Sequence, residues 1–224
     1  MNPLVLHELP PSPNCTKVRI ALGYKGIPYE SRMVDGQDRT QAVEDYGAPL
    51  TPGLTGDGFR MYDSHAIIRF LDLNFDGPRL LPTDADALRA VEQWERWARA
   101  ESIAGLGSVF GMAFGRQDFD QAALDAARVK LTEDTRKVEE ELGNRDWLVG
   151  DSLTSADLCV AARLVLVLPP ASIQAAVEAA NFPFWPFFFE HCAVQEERPR
   201  TRALLERTLA YDGLMQKFQA ATAS

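Results

Sequence analysis

The sequence predicts an α/β domain followed by an all-α helical domain, and two observations carry that prediction. The first 78 residues alternate short apolar strand patterns with helical ones, whereas apolar residues recur at helical spacing beyond the proline-rich stretch at 77–84. Of the 224 residues, 46% are hydrophobic and 25% charged, which is a normal globular composition with enough apolar side chains for a sizeable core. We predict domain bounds of 1–78 and 86–224, joined by a linker at 79–85.

The chain begins with a predicted strand, helix and second strand. Leu4 to His7 form a short apolar run, which the prolines of the following loop prevent from continuing. From Cys15 onward apolar residues fall on one helical face, and Gly26 ends this helix. Glu30 to Val34 form the second strand, and the polar residues 35–45 predict a loop. This order is typical of a β-α-β unit with a crossover helix.

The stretch from Pro49 to Leu71 contains a turn, a β-hairpin and a helix start. Thr51-Pro52 precedes a short apolar piece, and Gly56-Asp57-Gly58 is a hairpin turn that leads into a second strand at 59–62. Asp63-Ser64 stands where the N-cap of the next helix is expected. The first domain is therefore predicted as β-α-β followed by β-β-α, a small mixed sheet with helices.

Two features of this stretch have both a structural and a functional interpretation. Pro52 is either an ordinary trans turn proline or a cis-proline, which would turn the backbone N–H and C=O of Thr51 outward as an edge for an extended peptide ligand. Asp63-Ser64 is either a helix cap or a receptor for an amino-acid head group. In the second case the hydroxyl and the helix-start N–H groups bind a carboxylate, and the Asp63 carboxylate accepts from an ammonium group.

The remainder of the chain has helical patterns. We predict one long helix or two stacked ones from Asp84 to about Gly115, and an antiparallel partner from Asp118 to Leu142. Leu158 to Leu168 is so apolar on all sides that this helix must be central, and Thr154 with Asp157 forms a capping box at its start. Proline-containing breaks then leave three short helices, the last from Thr201 to Leu209.

Composition argues against several classes of partner. The formal net charge of −9 and the pI near 4.9, with no basic block, argue against nucleic acid or an anionic membrane surface. No window approaches the apolar length of a membrane span, and the N-terminus lacks a secretory signal pattern. Because Cys15, Cys159 and Cys192 are widely spaced, we expect neither a disulfide framework nor a metal site. We also expect a cytoplasmic location, where thiols stay reduced.

Five short motifs are spaced along nearly the whole chain. They are S-P-N-C-T-K-V-R-I-A-L with K-G-I-P-Y-E at 12–30, T-P-G-L at 51–54, D-S-H-A-I-I-R-F-L at 63–71, L-L-P-T-D at 80–84 and W-L-V-G-D-S-L-T-S-A-D at 147–157. In this order they resemble the cytosolic glutathione transferase superfamily, in its serine-type, bacterial-like form. The resemblance implies a thioredoxin-like N-terminal domain and an all-helical C-terminal domain. It also implies a detoxification enzyme that activates the thiol of glutathione, its co-substrate, for attack on a small hydrophobic electrophile.

The resemblance implies roles for individual residues. Ser12 falls where serine-type members keep the hydroxyl that donates to the glutathione sulfur. Thr51, just before the family's cis-proline Pro52, would pair its backbone with the cysteinyl part of the tripeptide, and Asp63 and Ser64 would hold the γ-glutamyl ammonium and carboxylate. A free thiol has a pKa of about 8.5. A hydroxyl donor and the positive end of the first helix would each stabilise the thiolate by on the order of 1 to 2 kcal/mol.

The second substrate and the assembly follow from the same resemblance. We expect the electrophile to lie against the helical domain, at Glu101, Gly105, Val109, Met112 and Phe114. A homodimer is expected as well, because the predicted strand at 59–62 carries apolar side chains that small domains seldom leave bare.

Three positions depart from the family pattern. Leu50 replaces the lysine that commonly holds the glycyl carboxylate of glutathione, and Arg39 is a nearby cation that could substitute for it. Ser12 replaces the attacking cysteine of the redox motif in related glutaredoxin-like folds, which excludes a dithiol mechanism there. Asn14 could face the sulfur in place of Ser12. We therefore assign Asn14 and Leu50 to the glutathione site together with the residues above.

Two other functions stay open. The first is a non-catalytic glutathione-transferase-like module for binding or assembly, favoured by Leu50 and by the aromatic segment 182–189, which is more typical of core or interface than of a ligand site. The second is a glutathione-dependent thiol reductase or isomerase that uses Cys15, since a helix start favours the thiolate.

Overall fold

The N-terminal part of the chain folds around a mixed β-sheet. The computed structural model describes residues 3–10, 12–102, 106–179 and 185–222. Its first elements are β1 (Leu4–Glu8), α1 (Pro13–Tyr24), β2 (Tyr29–Met33), α2 (Thr40–Tyr46), β3 (Gly53–Gly56), β4 (Phe59–Tyr62) and α3 (Ser64–Asn74). The strand order is β2-β1-β3-β4, with β1 parallel to β2 and the other two pairs antiparallel. The predicted thioredoxin-like class is confirmed.

The pairing register places the large apolar side chains of the central strands on the buried side. Leu6 of β1 lies opposite Leu54 of β3, and neither side chain has any exposed surface. A shift of either strand by one residue would turn its leucine to the opposite face of the sheet. Burial of each leucine stabilises the fold by roughly 1.5 to 3 kcal/mol.

Helix α2 corrects the prediction of a loop at residues 35–45. The helix has only seven residues, and such a short helix has little stability by itself. Its stability comes from Tyr46, which is buried and whose ring packs on Gly53 so closely that a Cβ there would lie 2.5 Å from ring carbons. Tyr46 and Gly53 belong to different elements, so the periodicity within residues 35–45 did not reveal this contact.

The second part of the described chain is all-helical, as predicted. Its elements are α4 (Ala85–Arg96), a π-helical turn (Trp97–Glu101), α5 (Leu106–Ala113), α6 (Gln121–Leu142), α7 (Ser155–Leu164), α8 (Ala171–Ala179), α9 (Trp185–Cys192), α10 (Pro199–Leu209) and α11 (Gly213–Thr222). The predicted linker at 79–85 falls between α3 and α4, and the exact domain bounds stay a prediction.

Local capping explains where several of these helices differ from their predicted bounds. Helix α1 begins at Pro13 and α10 at Pro199, since proline is well suited to a first helical turn. Helix α6 begins at Gln121 because the Asp120 carboxylate accepts the N–H of Ala123 at 3.1 Å. Helix α11 was not predicted at all.

Helix α7 is the centre of the helical part. All ten of its residues are buried, and it packs against α1, α4 and α10. The predicted capping box is confirmed: the Asp157 carboxylate accepts the Thr154 N–H at 2.8 Å and the Thr154 hydroxyl at 2.9 Å. It also accepts the N–H of Leu148 at 2.9 Å, so that one buried carboxylate holds both the helix start and the preceding loop.

A buried ionic contact joins α11 to the sheet side of the molecule. The Arg19 guanidinium of α1 donates to Asp212 through Nε at 2.8 Å and Nη2 at 2.9 Å, and to Glu8 of β1 through Nη1 at 2.5 Å. All three side chains are at most 3% exposed. Asp212 in turn accepts the N–H of Leu214 at 2.9 Å, which holds the first turn of α11.

Among the described residues, no helix combines the length and the apolar character that a membrane crossing requires.

Replacement of Asp157 by alanine should lower the free energy of unfolding by about 2 to 3 kcal/mol, because the buried N–H groups of Leu148 and Thr154 lose their acceptor. Thr154→Ala should cost about 1 kcal/mol. Urea denaturation measures both. Asp151→Ala, an exposed carboxylate of the same loop, is the matched control and should change stability by less than about 0.5 kcal/mol. Equal midpoints for Asp157→Ala and Asp151→Ala would contradict the capping assignment.

Candidate active site

Ser12 lies at the junction of the β1 loop and helix α1. It is the N-cap residue, and its carbonyl accepts the N–H groups of Cys15 at 2.9 Å and Thr16 at 3.0 Å. Its side chain makes no capping hydrogen bond, and the residue is half-buried at the edge of a cavity. The hydroxyl therefore lies at the positive end of a helix and at the edge of the cavity.

The Thr51–Pro52 peptide bond is cis, the second of the two interpretations offered by the sequence. Thr51 lies close to Ser12, because the side chains of both form hydrogen bonds with Cys15. Burial raises the pKa of the Cys15 thiol, and these two contacts oppose that rise only in part. Leu50 is 64% exposed, and its carbonyl accepts the Tyr46 hydroxyl at 2.8 Å. The loop before β3 is thus held in place by α2.

Asp63 and Ser64 form the start of α3. The Asp63 carboxylate accepts the N–H groups of His65 at 2.9 Å and Ala66 at 3.0 Å, which confirms the helix-cap interpretation. Partial burial opposes the effect, but these two donors hold the pKa of Asp63 below its usual value, so it is ionised at neutral pH. Asp63 has φ 72°, a conformation that costs a non-glycine residue energy and often marks functional positions.

A cavity of about 460 Å³ opens between Ser12 and helix α5. Its described lining consists of Leu9, Ser12, Pro13, Gly107, Phe110, Gly111, Phe114, Arg116 and Gln117. Gly107, Phe110, Gly111 and Phe114 are spaced i, i+3, i+4 and i+7, so they share one face of the helical segment. The cavity therefore has a hydroxyl on one wall and an aromatic surface on the other.

Comparison with known proteins assigns this arrangement to a family. Residues 6–79 match the family model "Glutathione S-transferase, N-terminal domain", and residues 104–210 match "Glutathione S-transferase, C-terminal domain". The chain is 31% identical to glutathione S-transferase 3 of Zea mays, over 70% of this chain and 75% of that protein. The chain belongs to the glutathione S-transferase family.

Two further comparisons agree with this assignment. The chain is 29% identical to a glutathione S-transferase-like protein, LUC7, of a Fusarium species, over 80% of this chain and 83% of that protein. It shares its fold with a glutathione transferase homologue of Drosophila mojavensis solved with bound glutathione, at a TM-score of 0.70 and 21% identity, over 99% and 96% of the two chains. Family membership supports a glutathione-transferase-like function, with glutathione as the substrate of the family.

Within the glutathione S-transferase fold, the predicted electrophile residues are only partly brought together. Phe114 lines the cavity, but Val109 and Met112 do not: both are buried against the core, on the face of α5 opposite the cavity. Glu101 is exposed at the end of the π-helical turn and is not part of the described lining, and Gly105 lies outside the described residues.

The cavity residues that the sequence analysis missed carry a recognisable signal. Gly107, Phe110 and Gly111 share with the predicted Phe114 a face that alternates glycine with phenylalanine, whereas the predicted Val109 and Met112 lie on the aliphatic face. An aliphatic stripe on a helix is buried by the core, so the opposite face was the better candidate for a ligand.

Cys15 is inaccessible to solvent. It has no exposed surface, its sulfur accepts the N–H of Leu9 at 3.4 Å, and burial raises the pKa of its thiol. A nucleophilic thiolate requires access and a lowered pKa. This placement argues against the thiol reductase or isomerase alternative.

Asn14 points toward the helical part of the molecule rather than the cavity. Its side-chain oxygen accepts from Arg163 of α7 at 3.3 Å, and it is not among the described lining residues. Burial lowers the pKa of Arg163 to about 10, so this guanidinium is charged at neutral pH. Asn14 therefore connects α1 to α7, and Ser12 is the better candidate to face a ligand sulfur.

A buried polar cluster lies directly below Asp63, between the two parts of the molecule. Lys17 Nζ is 3.4 Å from His65 Nδ1, and His65 Nε2 is 3.6 Å from the Cys159 sulfur. The Glu95 carboxylate accepts hydrogen bonds from Arg69 Nη1 at 3.2 Å, from Arg69 Nη2 at 2.7 Å and from the Ser155 hydroxyl. Each side chain has a hydrogen-bond partner within the cluster.

The same cluster brings ligand atoms of His65, Glu95 and Cys159 within 4.8 Å of one another. The Glu95 carboxylate is already held by Arg69, and Lys17 places positive charge beside the imidazole. Both contacts oppose a cation at this point and favour a hydrogen-bonded cluster. The absence of a metal stays a prediction.

The stability of the protein should fall between pH 6.5 and 4 because of His65. Burial first, and then the Lys17 cation, lower the pKa of His65 from 6.5 to about 4, so the unfolded chain binds a proton in this range that the folded chain does not. On acidification the free energy of unfolding should therefore fall by about 1 to 2 kcal/mol less in His65→Gln than in the parent. Urea denaturation from pH 7.5 to 4.5 measures this difference.

The charged and titratable groups around His65 are Lys17, Asp63, Arg69 and Glu95, with the Cys159 thiol. Both proteins retain all of them, so the difference between the two stability curves reports the His65 titration together with its interactions with Asp63 and Glu95. Parallel stability curves for parent and His65→Gln over this range would contradict the assigned pKa.

Proposed function

We propose that the protein is a serine-type, bacterial-like glutathione S-transferase that conjugates glutathione to small hydrophobic electrophiles. The observation that carries the proposal is the position of the Ser12 hydroxyl, at the N-terminus of α1 on the wall of the 460 Å³ cavity. The opposite wall carries Phe110 and Phe114, whose aromatic surface suits an apolar second substrate.

In this proposal the Ser12 hydroxyl donates a hydrogen bond to the sulfur of bound glutathione. The donor and the positive end of α1 lower the pKa of the thiol, whose proton leaves to solvent. The thiolate then attacks an electrophilic carbon: a sulfur–carbon bond forms, and the bond to the leaving group, for example a halide, breaks. Because both effects act mainly on the anion, they accelerate the reaction rather than merely tighten binding.

Four residues of the loop and of α3 are proposed to hold the tripeptide. The Thr51 backbone, next to the cis Pro52, pairs with the cysteinyl unit. The Asp63 carboxylate, which the surrounding N–H groups keep ionised, accepts from the γ-glutamyl ammonium, and Ser64 with the first turn of α3 binds its carboxylate.

We propose Arg39 as the cation that takes the place of the family's usual lysine, since Leu50 cannot bind a carboxylate. Nη1 of Arg39 is buried and has no hydrogen-bond partner among the described residues. Arg39 also lies near Tyr46, because burial raises the pKa of Tyr46 and the Arg39 charge opposes that rise. Tyr46 binds the Leu50 carbonyl, so Arg39 is close to the loop that precedes Thr51.

The proposal includes a cytoplasmic homodimer. Tyr62 of β4 and Leu73 of α3 are 48% and 72% exposed, which supplies apolar surface on adjoining elements, and α3 contacts β4. Light scattering measures the assembly directly. The cysteines at 15, 159 and 192 are all unpaired, which supports a reducing compartment that cell fractionation can verify.

Isothermal titration calorimetry should detect glutathione binding at millimolar concentration or below. The Asp63→Ala/Ser64→Ala double variant should lose about 2 to 5 kcal/mol of binding free energy, because the γ-glutamyl charges lose their partners.

Arg39→Met should weaken glutathione binding about tenfold, because the glycyl carboxylate loses its cation. Arg60→Met, an exposed cation of β4, is the matched control. A parent protein that does not bind glutathione would favour the non-catalytic module over the enzyme.

Ser12→Ala should lower turnover with an aryl halide at least about tenfold while glutathione still binds, because the lost donor acts on the thiolate. The pH profile of kcat/KM should also move to higher pH, since the bound thiol regains a higher pKa. Ser152→Ala, an exposed hydroxyl of the helical part, serves as the control in steady-state assays. Unchanged turnover in Ser12→Ala would assign thiol activation to another group.

A further inference from the structure

The cavity beside Ser12 has an exposed cation, Arg116, on its lining in addition to its aromatic wall. Phe110 and Phe114 lie with their rings almost parallel, at 9° and 6.2 Å between centroids. The Arg116 guanidinium lies over the Phe114 ring, with its carbon 5.5 Å from the ring centroid. Both Arg116 and the adjacent Gln117 are part of the cavity lining.

Backbone hydrogen bonds fix the main chain at Arg116. Gly115 has φ 64° and ends the helical segment, with its N–H donating to Met112 at 3.0 Å and the N–H of Arg116 donating to Gly111 at 2.8 Å. Glycine adopts this left-handed conformation without cost, and the pair of hydrogen bonds is that of a Schellman motif. Gln117 packs on Gly111, where a Cβ would lie 2.6 Å from its amide. The main chain that carries Arg116 is therefore a defined turn, from which the side chain reaches the Phe114 ring.

The charge of Arg116 has no acidic partner among the described residues. None of the ion pairs in this part of the molecule includes it, although the chain has a net charge of −9 and many of its other arginines are paired. An unpaired cation beside an apolar surface attracts an anionic group more strongly than a cation in open water does, because the surface lowers the local dielectric.

We propose that Arg116 selects second substrates that combine an aromatic or apolar body with an anionic group such as a carboxylate or sulfonate. The aromatic body stacks on Phe110 and Phe114, and the anionic group binds the guanidinium, whose planar donors match an oxyanion. This inference rests on the proposed transferase function for its catalytic meaning. The binding preference itself does not require catalysis.

A pair of fluorescent probes that differ by one charge tests the binding preference without glutathione. The probes are 8-anilinonaphthalene-1-sulfonate and the uncharged N-phenyl-1-naphthylamine, titrated into the parent, Arg116→Met and Arg116→Lys. Methionine keeps an apolar stem of similar length. Arg136→Met, an exposed cation on α6, removes the same unit of net charge away from the cavity.

The parent should bind the sulfonate at least about tenfold more tightly than Arg116→Met, measured relative to the neutral probe, and Arg116→Lys should restore part of that preference. Arg136→Met should keep the parental ratio. The preference of the parent should also weaken as salt is raised from 0.05 to 0.5 M. An unchanged ratio in Arg116→Met, or an equal loss in Arg136→Met, would overturn the inference.

A kinetic comparison extends the test to catalysis. With glutathione saturating, 4-chloro-3,5-dinitrobenzoate and its uncharged methyl ester react by the same displacement of chloride by sulfur. The ester is intrinsically the more reactive, so the comparison uses the change of their ratio between the parent and the variant. The ratio of kcat/KM for the benzoate over the ester should fall about tenfold in Arg116→Met. An unchanged ratio would show that Arg116 does not select the substrate.

The two failures are distinguishable. If neither aryl chloride is conjugated, the proposed function fails, and the probe titrations still decide whether the cavity prefers anions. If glutathione affinity itself falls more than about threefold in Arg116→Met by calorimetry, the cation serves the tripeptide and the inference is wrong.

Discussion

The hydrogen bonds accepted by the Asp157 carboxylate are the constraint on which the positions of the other helices depend. Helix α7 is buried along its whole length, so its first N–H groups cannot be satisfied by water. Asp157 and Thr154 satisfy them, and the same carboxylate holds Leu148 in the preceding loop. Because α7 packs on α1, α4 and α10, loss of these cap hydrogen bonds would displace α1, the helix that has Ser12 as its N-cap residue.

Buried charges determine how the sheet and the helical part meet. Arg19 binds Glu8 of β1 and Asp212 before α11, and Arg69 of α3 binds Glu95 of α4. Such pairs add little net stability, since removing the charges from water costs nearly as much as the attraction returns. Their geometry is nevertheless demanding, because an unpaired buried charge is costly. They therefore select one docking arrangement from the several that an apolar contact would tolerate.

That arrangement creates the candidate site. Ser12 belongs to the sheet side, whereas Phe110, Phe114 and Arg116 belong to the helical side, and the cavity exists only where the two sides face each other. The N-terminus of α1 supplies a positive potential on one wall and Arg116 a positive charge on the other. A protein that is acidic as a whole thus has a local positive environment that suits a thiolate and an anionic second substrate.

The sequence alone determined the features that depend on neighbouring residues. The hairpin between β3 and β4, the Asp63 cap and the Thr154–Asp157 box follow from turn and capping chemistry, which acts within a few residues. The order of elements also followed from local periodicity.

Only the tertiary structure decided the features that depend on distant contacts. Helix α2 is stabilised by a contact outside the helix, in which Tyr46 packs on Gly53 of β3. Helix α11 is held by Arg19, which lies 193 residues before its partner Asp212 in the chain. The cavity face of α5 differs from the predicted one because the core buried Val109 and Met112. Periodicity identifies two faces of such a helix, but which of them meets a ligand depends on what packs against the other.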